Sequence, residues 1–239
     1  MKLGILDAVQ PAYLHVDENI SDGAKFVDLL NDVDFAGEMV IYNVGGDKFP
    51  PSVDSCDAYL VGGSPASVYD GFAWITRLME FVQAAHTKQI PLVGICFGHQ
   101  LIAQALGGQV ELARGGWLLG LKQFDVHQKP AWMHSDASSY QIYHINQDQV
   151  CGLPPGAVHL GSSSVCEYSM FTIDQHVLCI QGHPEQPLRA MLNFIEELGD
   201  AVPEDIQAAA HTSFQQAEPD RLIVGEWIRH FLEAACTHP

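Results

Sequence analysis

Short apolar runs alternate with stretches of helical periodicity through residues 3–106, and this alternation restricts the fold more than any other feature. A short apolar run bounded by turn residues is typical of a buried parallel strand, whereas apolar residues three and four apart predict a helix. Repeated strand–helix–strand units predict a mostly parallel sheet with helices on both faces and functional residues at the carboxyl ends of the strands. The predicted strands cover residues 3–9, 38–44, 57–61 and 90–96, and the predicted helices cover 21–33, 74–82 and 100–106.

The pattern changes after Gly107 to short strand-like pieces, which predict a smaller antiparallel β section within an α/β protein. No linker rich in Pro, Gly and Ser separates the two halves, so residues 1–199 are expected to form one domain and residues 200–239 a helical extension packed on it. The later predicted strands cover residues 109–112, 117–126, 141–145, 157–160, 165–173 and 177–181, and the later predicted helices cover 184–198, 204–214 and 219–235.

Composition excludes several classes of partner. Eleven lysines and arginines against 29 aspartates and glutamates give a formal net charge of −18, which repels phosphate backbones, so neither nucleic acid nor a membrane is an expected partner. No apolar stretch approaches the roughly 20 residues that a membrane helix needs, and the amino terminus lacks a signal-peptide core. Six cysteines without a CxxC pair predict reduced thiols, so we expect a soluble, cytoplasmic protein.

Cys96 lies in the segment GICFGHQ, between an apolar strand and a helix-like run. A nucleophile on a strand-to-helix turn needs small residues two positions before and two after it, and Gly94 and Gly98 occupy those positions. The amino-terminal dipole of the following helix would stabilise a thiolate at Cys96. The pattern favours a catalytic nucleophile over a buried structural cysteine.

His183 is the candidate general acid and base for such a thiolate. It lies in QGHPE, just after the predicted strand 177–181, where a strand end could bring it to the same edge of the sheet as Cys96. Glu185 follows across a proline and is placed to accept a hydrogen bond from the second imidazole nitrogen. Taken alone, the segment would more often be a surface histidine beside a helix start, so this prediction depends on the elbow at Cys96.

Together, GICFGHQ and GHPE resemble the G-x-C-x-G-x-Q elbow and the later H-P-E of the class I glutamine amidotransferase family. The resemblance extends from the first strand to about residue 199. It implies a flavodoxin-like α/β fold with Cys96, His183 and Glu185 as the catalytic triad.

A third segment, VGGSPASV at residues 61–68, resembles the Gly-rich turn that builds the oxyanion hole in this family. The resemblance implies that the backbone N–H groups of Gly63 and Phe97 are the oxyanion donors, because flexible backbone can present N–H groups to developing negative charge. It also implies that Gln100 contacts the bound glutamine or the loop around it, and that Gly62 belongs to the substrate-binding residues.

The resemblance implies that Cys96 attacks the side-chain amide of glutamine, that His183 protonates the departing ammonia, and that water then cleaves the thioester. Family members usually pass the ammonia to a synthase, and the roughly forty residues after residue 199 are too few to form one. We therefore expect a stand-alone amidotransferase, similar to the domain of GMP synthases, whose synthase partner is a separate subunit.

Two alternatives stay open. The segments GICFGHQ, ALGG, the GW after Arg114 and IQGHPE also resemble the plant γ-glutamyl peptidases, which implies the same triad acting on a γ-glutamyl peptide. These two activities would differ in the shape of the pocket beyond the scissile bond. An inactive regulatory module of the same fold is less favoured, because the set of cysteine, histidine and glutamate is complete.

The segment YHINQDQV and the following GLPPGA resemble the H-x-D-x-V and L-P-x-G-A region of the family. Asp148 and Val150 fall in register, but Asn146 stands where many relatives carry histidine. His144 and Asp148 could suggest a metal, yet the histidines show no ligand spacing such as HExxH, and no glycine fingerprint for a dinucleotide follows the first strand. Neither a metal nor another cofactor is predicted.

Overall fold

The computed structural model describes residues 1–11, 21–134, 136 and 138–237. The strands are β1 (Lys2–Asp7), β2 (Glu38–Asn43), β3 (Ala58–Val61), β4 (Leu92–Ile95), β5 (Gln109–Leu112), β6 (Leu118–Val126), β7 (Ser139–Asn146), β8 (Asp148–Gly152), β9 (Ala157–Ser162), β10 (Met170–Ile173) and β11 (Val177–Ile180). The helices are α1 (Asp22–Asp32), α2 (Ala73–Thr87), α3 (Phe97–Ala105), α4 (Leu188–Leu198), α5 (Glu204–Gln216) and α6 (Arg221–Thr237).

Nine strands form one large sheet in the order β2-β1-β3-β4-β11-β10-β9-β6-β7. Neighbours among the first five strands pair in parallel, with Ile5 of β1 opposite Ile41 of β2 and Leu60 of β3. Every residue of β3, β4 and β11 is buried, because helices cover both faces of this half. The predicted α/β architecture, with a mixed, mostly parallel sheet between helices, is confirmed.

The strands β10, β9, β6 and β7 continue the large sheet with antiparallel pairing, and β5 and β8 form a separate antiparallel pair. The sequence does not predict β8, because DQVCG lacks a strand pattern and is extended through its pairing with β5. The prediction of a strand over residues 165–173 is wrong in its first half, since β10 begins at Met170. A turn precedes it, in which the Ser163 N–H donates to the Cys166 carbonyl (2.8 Å).

α4 begins at Leu188, so the prediction of a helix from residue 184 is also wrong at its start. Pro187 is extended (φ −76°, ψ 157°) and precedes the first helical residue. Proline disfavours helical geometry at the residue before it, which here is Gln186. The HPE segment and Gln186 are therefore free to form a connection between β11 and α4.

The two helices at the carboxyl end pack on the rest of the chain. α5 lies on β6, where the Leu121 N–H donates to Ser213 Oγ (2.9 Å). α6 lies against α1, and its buried Trp227 and Phe231 join the same apolar cluster as Phe26. The division into residues 1–199 and 200–239 stays a prediction. Within the described ranges, no helix is both long and apolar enough to span a membrane.

Candidate active site

Cys96 stands between β4 and α3 in a left-handed backbone conformation (φ 52°, ψ −104°). Residues with a side chain rarely adopt this conformation, which concentrates at functional positions. A Cβ atom at Gly98 would lie 2.1 Å from the Val61 carbonyl oxygen, and one at Gly94 would lie 2.6 Å from the Gly98 carbonyl oxygen. Glycine is therefore required at both positions, and the chain forms the tight strand-to-helix turn that the sequence predicts.

His183 lies near this turn because β11 is the neighbour of β4 in the sheet. Ile95 and Ile180 are opposite each other, and the Cys96 N–H donates to the Ile180 carbonyl (3.0 Å). The His183 N–H donates to the Tyr143 carbonyl (2.8 Å), which fixes the connection after β11 to β7. Two adjacent parallel strands thus end at the same edge of the sheet and bring Cys96 and His183 into one cavity.

Glu185 orients the imidazole ring of His183. His183 Nδ1 lies 2.7 Å from Glu185 Oε1, and because a carboxylate only accepts, Nδ1 is the donor. Both side chains are buried. His183 Nε2 has no hydrogen-bond partner within the described residues, so this nitrogen is available for proton transfer.

The charge state of His183 is set by two opposing effects. Burial disfavours the imidazolium, but the negative charges of Cys96 and Glu185 outweigh burial and raise the pKa of His183 well above its usual value. An imidazolium beside Cys96 stabilises the thiolate, which is the nucleophilic form of cysteine. The arrangement can therefore hold a thiolate–imidazolium pair.

Gly63 and Phe97, the two candidate oxyanion donors, lie beside the reactive atoms. Gly63 lines the cavity together with Cys96, and a Cβ atom at Gly63 would approach His183 Cε1 to 3.0 Å. Phe97 is the first residue of α3, where backbone N–H groups have no partner within the helix. Both positions suit a backbone N–H donor.

Both backbone polar groups of Gly62 form hydrogen bonds within the protein. Its N–H donates to the Leu6 carbonyl (3.1 Å), and its carbonyl accepts from the Gly98 N–H (3.1 Å). These bonds connect β1, the Gly-rich turn and the start of α3. They give Gly62 a structural position beneath the elbow, and its substrate contact stays a prediction.

Gln100 and Gln181 link the elbow to the start of β8. Gln100 Nε2 donates to the Asp148 carbonyl (2.7 Å) and to Gln181 Oε1 (3.1 Å). Gln181 Nε2 donates to Cys96 Sγ (3.6 Å). Gln100 also lines the cavity, so it contacts the loop while remaining within reach of a ligand. Gln181 is not among the predicted site residues, and its only signal in the sequence is its position two residues before His183.

The Asp148 side chain holds the Gly-rich turn against β8. Its carboxylate accepts hydrogen bonds from the hydroxyls of Ser67 and Tyr69. Asn146, at the position where the family often has histidine, donates through Nδ2 to the Asp148 carbonyl (3.1 Å). This segment therefore forms one wall of the cavity.

The cavity above Cys96 has a volume of about 420 Å³. Its polar side includes Ser64 and Asn146, whereas Trp117, Phe194 and Leu198 supply an apolar side. Pockets of roughly 300–1,000 Å³ take ligands of drug size, so the space exceeds what a single glutamine side chain needs.

Two charged residues at this cavity, Lys25 and Asp22, are not singled out by the sequence analysis. Lys25 is buried and its ammonium group lies 2.8 Å from Asp22 Oδ1 and 3.0 Å from Gln186 Oε1. The signal that could have found Lys25 is helical periodicity, because Lys25 shares the buried face of α1 with Leu29.

The histidines give no metal site within the residues that the structure describes. His144 Nδ1 lies 3.4 Å from Asn146 Oδ1, whereas Asp148 is bonded to the Gly-rich turn, so the suggested pair has separate partners. Across the same ranges, no group of three or more His, Cys, Asp or Glu is arranged to hold a metal ion.

Comparison with known proteins places these features in a family. The family model described as glutamine amidotransferase class I matches residues 37–197. γ-Glutamyl peptidase 3 of Arabidopsis thaliana is 30% identical over 203 residues, which cover 81% of this chain and 82% of the peptidase. One subunit of the glutamine-hydrolysing GMP synthase of Methanoculleus marisnigri is 26% identical over 159 residues, which cover 65% of this chain and 78% of that protein.

A solved structure of a glutamine amidotransferase from Thermotoga maritima has the same fold. It matches with a TM-score of 0.76 at 17% identity, and the match covers 98% of this chain and 97% of that chain. The residues that the family model matches include the Gly-rich turn, the elbow at Cys96 and the HPE segment. The chain therefore belongs to the class I glutamine amidotransferase family.

Proposed function

We propose that this protein hydrolyses γ-glutamyl amide bonds through a thioester on Cys96. The observation that carries the proposal is the arrangement of three side chains at adjacent strand ends: Cys96 on the strained elbow, His183 in the same cavity, and Glu185 bonded to the far ring nitrogen. Cysteine nucleophiles with a histidine and an orienting carboxylate perform acyl transfer on many folds.

In the first step, the Cys96 thiolate attacks the carbonyl carbon of the γ-glutamyl amide and forms a tetrahedral intermediate. The backbone N–H groups of Gly63 and Phe97 stabilise the negative oxygen, because fixed donors need no reorganisation as charge develops. The imidazolium of His183 gives its Nε2 proton to the leaving nitrogen. The carbon–nitrogen bond breaks, the amine departs, and a thioester remains.

In the second step, water replaces the amine. Neutral His183 accepts a proton from the water through Nε2, and the hydroxide attacks the thioester carbon. The carbon–sulfur bond breaks, so glutamate leaves and the thiolate–imidazolium pair is restored. Glu185 keeps Nδ1 protonated throughout, which leaves Nε2 for both transfers.

We propose a γ-glutamyl peptide as the substrate, with an amine leaving group larger than ammonia. The apolar side of the cavity, formed by Trp117, Phe194 and Leu198, offers contact area that ammonia cannot use. The 30% identity with a γ-glutamyl peptidase over most of both chains supports the same choice.

The second candidate is an amidotransferase that releases ammonia from glutamine for a separate synthase subunit. The match to one subunit of a GMP synthase favours it, because the name of that relative describes a glutamine-hydrolysing enzyme assembled from subunits. Both candidate activities use the same triad. An inactive regulatory module is disfavoured because the triad of cysteine, histidine and glutamate is complete.

The test is release of glutamate from glutamine and from γ-glutamyl dipeptides that end in alanine, leucine or phenylalanine. We expect faster release from the dipeptides, with no release by Cys96→Ala. Trp117→Ala should reduce kcat/KM for the phenylalanine dipeptide more than for the alanine dipeptide, because only the larger side chain reaches the apolar side.

The other outcomes are distinct. Turnover of glutamine above every dipeptide would favour the amidotransferase. If no substrate releases glutamate but a chloroketone analogue of glutamine still alkylates Cys96, the result would also favour an amidotransferase that requires its synthase. No hydrolysis of any substrate together with an unreactive Cys96 would refute both candidate activities.

A further inference from the structure

A buried ion pair lines the same cavity as Cys96 and His183. Lys25 and Asp22, both in the first turns of α1, form a contact of 2.8 Å, and their side chains are only 6% and 18% exposed. Burying two charges costs about as much free energy as their attraction returns, so such a pair contributes little net stability. Its position next to the cavity indicates another role.

Gln186 connects this ion pair to Glu185. Its Nε2 donates to Glu185 Oε1 (3.2 Å) and to Asp22 Oδ1 (3.3 Å), and its Oε1 accepts from the Lys25 ammonium (3.0 Å). Gln186 is almost fully buried, at 1% exposure. Every polar atom of this amide is therefore engaged in a defined direction.

The ion pair also fixes which way the amide faces. An ammonium group only donates and a carboxylate only accepts, so Lys25 must meet the carbonyl oxygen of Gln186 and Asp22 must meet the amino group. A flipped amide would turn its oxygen toward two carboxylates. The amino group is thus directed at Glu185.

Lys25 also contacts an aromatic ring, in addition to Asp22 and Gln186. Its ammonium lies 5.6 Å from the ring centroid of Phe194 on α4, within the range of a cation–π contact. The cluster of Lys25, Asp22 and Gln186 therefore joins α1, α4 and the connection that carries the HPE segment.

We propose that Gln186 is a positioning residue that fixes the Glu185 carboxylate, and that Lys25 and Asp22 hold Gln186 in the required orientation. Glu185 Oε1 then receives two hydrogen bonds, one from His183 Nδ1 and one from Gln186 Nε2. With both in place, the carboxylate plane and the imidazole ring are set before substrate arrives. The inference rests on the proposed function and extends it to a residue outside the triad.

The experiment compares Gln186→Met in two backgrounds. Methionine matches the length of glutamine and removes its donor. In the otherwise unchanged protein, we expect kcat for the best γ-glutamyl dipeptide to fall about tenfold with KM within about twofold, as for loss of one hydrogen bond to a charged group. In a Glu185→Ala background, the same substitution should change kcat by less than about twofold, because its target is gone.

The matched control is Gln207→Met. Gln207 also donates two hydrogen bonds, to the carbonyls of Gly199 and Val202, but it does not line the cavity. This variant should retain the unmodified kcat. Gln186→Leu provides a second variant if Gln186→Met fails to fold: it likewise offers no donor to Glu185, so the same loss is expected.

Alkylation of Cys96 by iodoacetamide gives a readout that needs no substrate. If the protein hydrolyses no γ-glutamyl compound, the proposed function fails, yet the alkylation rates of the same variants still test the role of Gln186. An equal loss of rate in both backgrounds, or no loss in either, would overturn the inference. A loss confined to the background with Glu185 intact would support it.

Discussion

The charge of His183 depends on its burial and on its two neighbours Cys96 and Glu185. Burial alone would lower the pKa of this imidazole, and the charges of Cys96 and Glu185 raise it instead. The alkaline limb of the activity profile should follow the loss of the imidazolium, because the leaving nitrogen needs the Nε2 proton of His183. We expect Glu185→Gln to lower the pKa of His183 and to move the alkaline limb of kcat/KM to lower pH by about one unit or more.

The measurement is kcat/KM against pH for a γ-glutamyl dipeptide in Glu185→Gln and in a control. Glu204→Gln is suitable, since Glu204 is an exposed carboxylate at the start of α5 that does not line the cavity, and its substitution removes the same charge. An unchanged alkaline limb in Glu185→Gln, or an equal shift in both variants, would show that Glu185 does not set the charge of His183.

At the scale of elements, the turn between β4 and α3 depends on close backbone packing. A Cβ atom at Gly98 would lie 2.1 Å from the Val61 carbonyl oxygen, and this contact involves backbone of a buried strand that cannot move aside cheaply. We expect Gly98→Ala to reduce the free energy of unfolding by about 3 kcal/mol, the upper range for overpacking, and to slow alkylation of Cys96.

Urea unfolding and iodoacetamide kinetics would check both effects. Gly115→Ala is the matched control, because a Cβ atom at Gly115 would meet nothing within 4 Å. It should leave both quantities unchanged. Normal stability and normal alkylation in Gly98→Ala would mean that the elbow does not require glycine there.

The same elements show why sequence predicts some features and misses others. The elbow is predictable because its requirement is local: Gly94 and Gly98 stand two residues on either side of Cys96. The meeting of Cys96 with His183 needs β4 and β11 as neighbours, which the resemblance implies and periodicity does not. β8 is missed because its extension comes from pairing with β5, a non-local cause.

Over the whole molecule, buried histidines act on stability in opposite directions. Burial lowers the pKa of His99 to about 4 and that of His144 to about 3, so both stay neutral when folded but take up protons below about pH 6.5 when unfolded. Their stabilising effect is complete above pH 6.5 and is lost as pH falls toward these values. His183, whose pKa is raised, stabilises the fold below about pH 6.5, and that effect is lost as pH rises through its folded value.

The protein should therefore lose stability between pH 7 and pH 5, by on the order of 2 kcal/mol for each of His99 and His144. His99→Leu measures the contribution of His99 to this loss of stability. The substitution removes the hydrogen bond to the Tyr168 carbonyl (2.9 Å) and therefore lowers stability at pH 7. It also removes a group that takes up a proton in the unfolded chain. Urea unfolding at both pH values should show a loss about 2 kcal/mol smaller than in the unmodified protein. The exposed His211, changed to glutamine, should leave the difference unaltered. Because neither substitution alters the surrounding acidic charge, an undiminished loss in His99→Leu would mean that His99 does not couple folding to proton uptake.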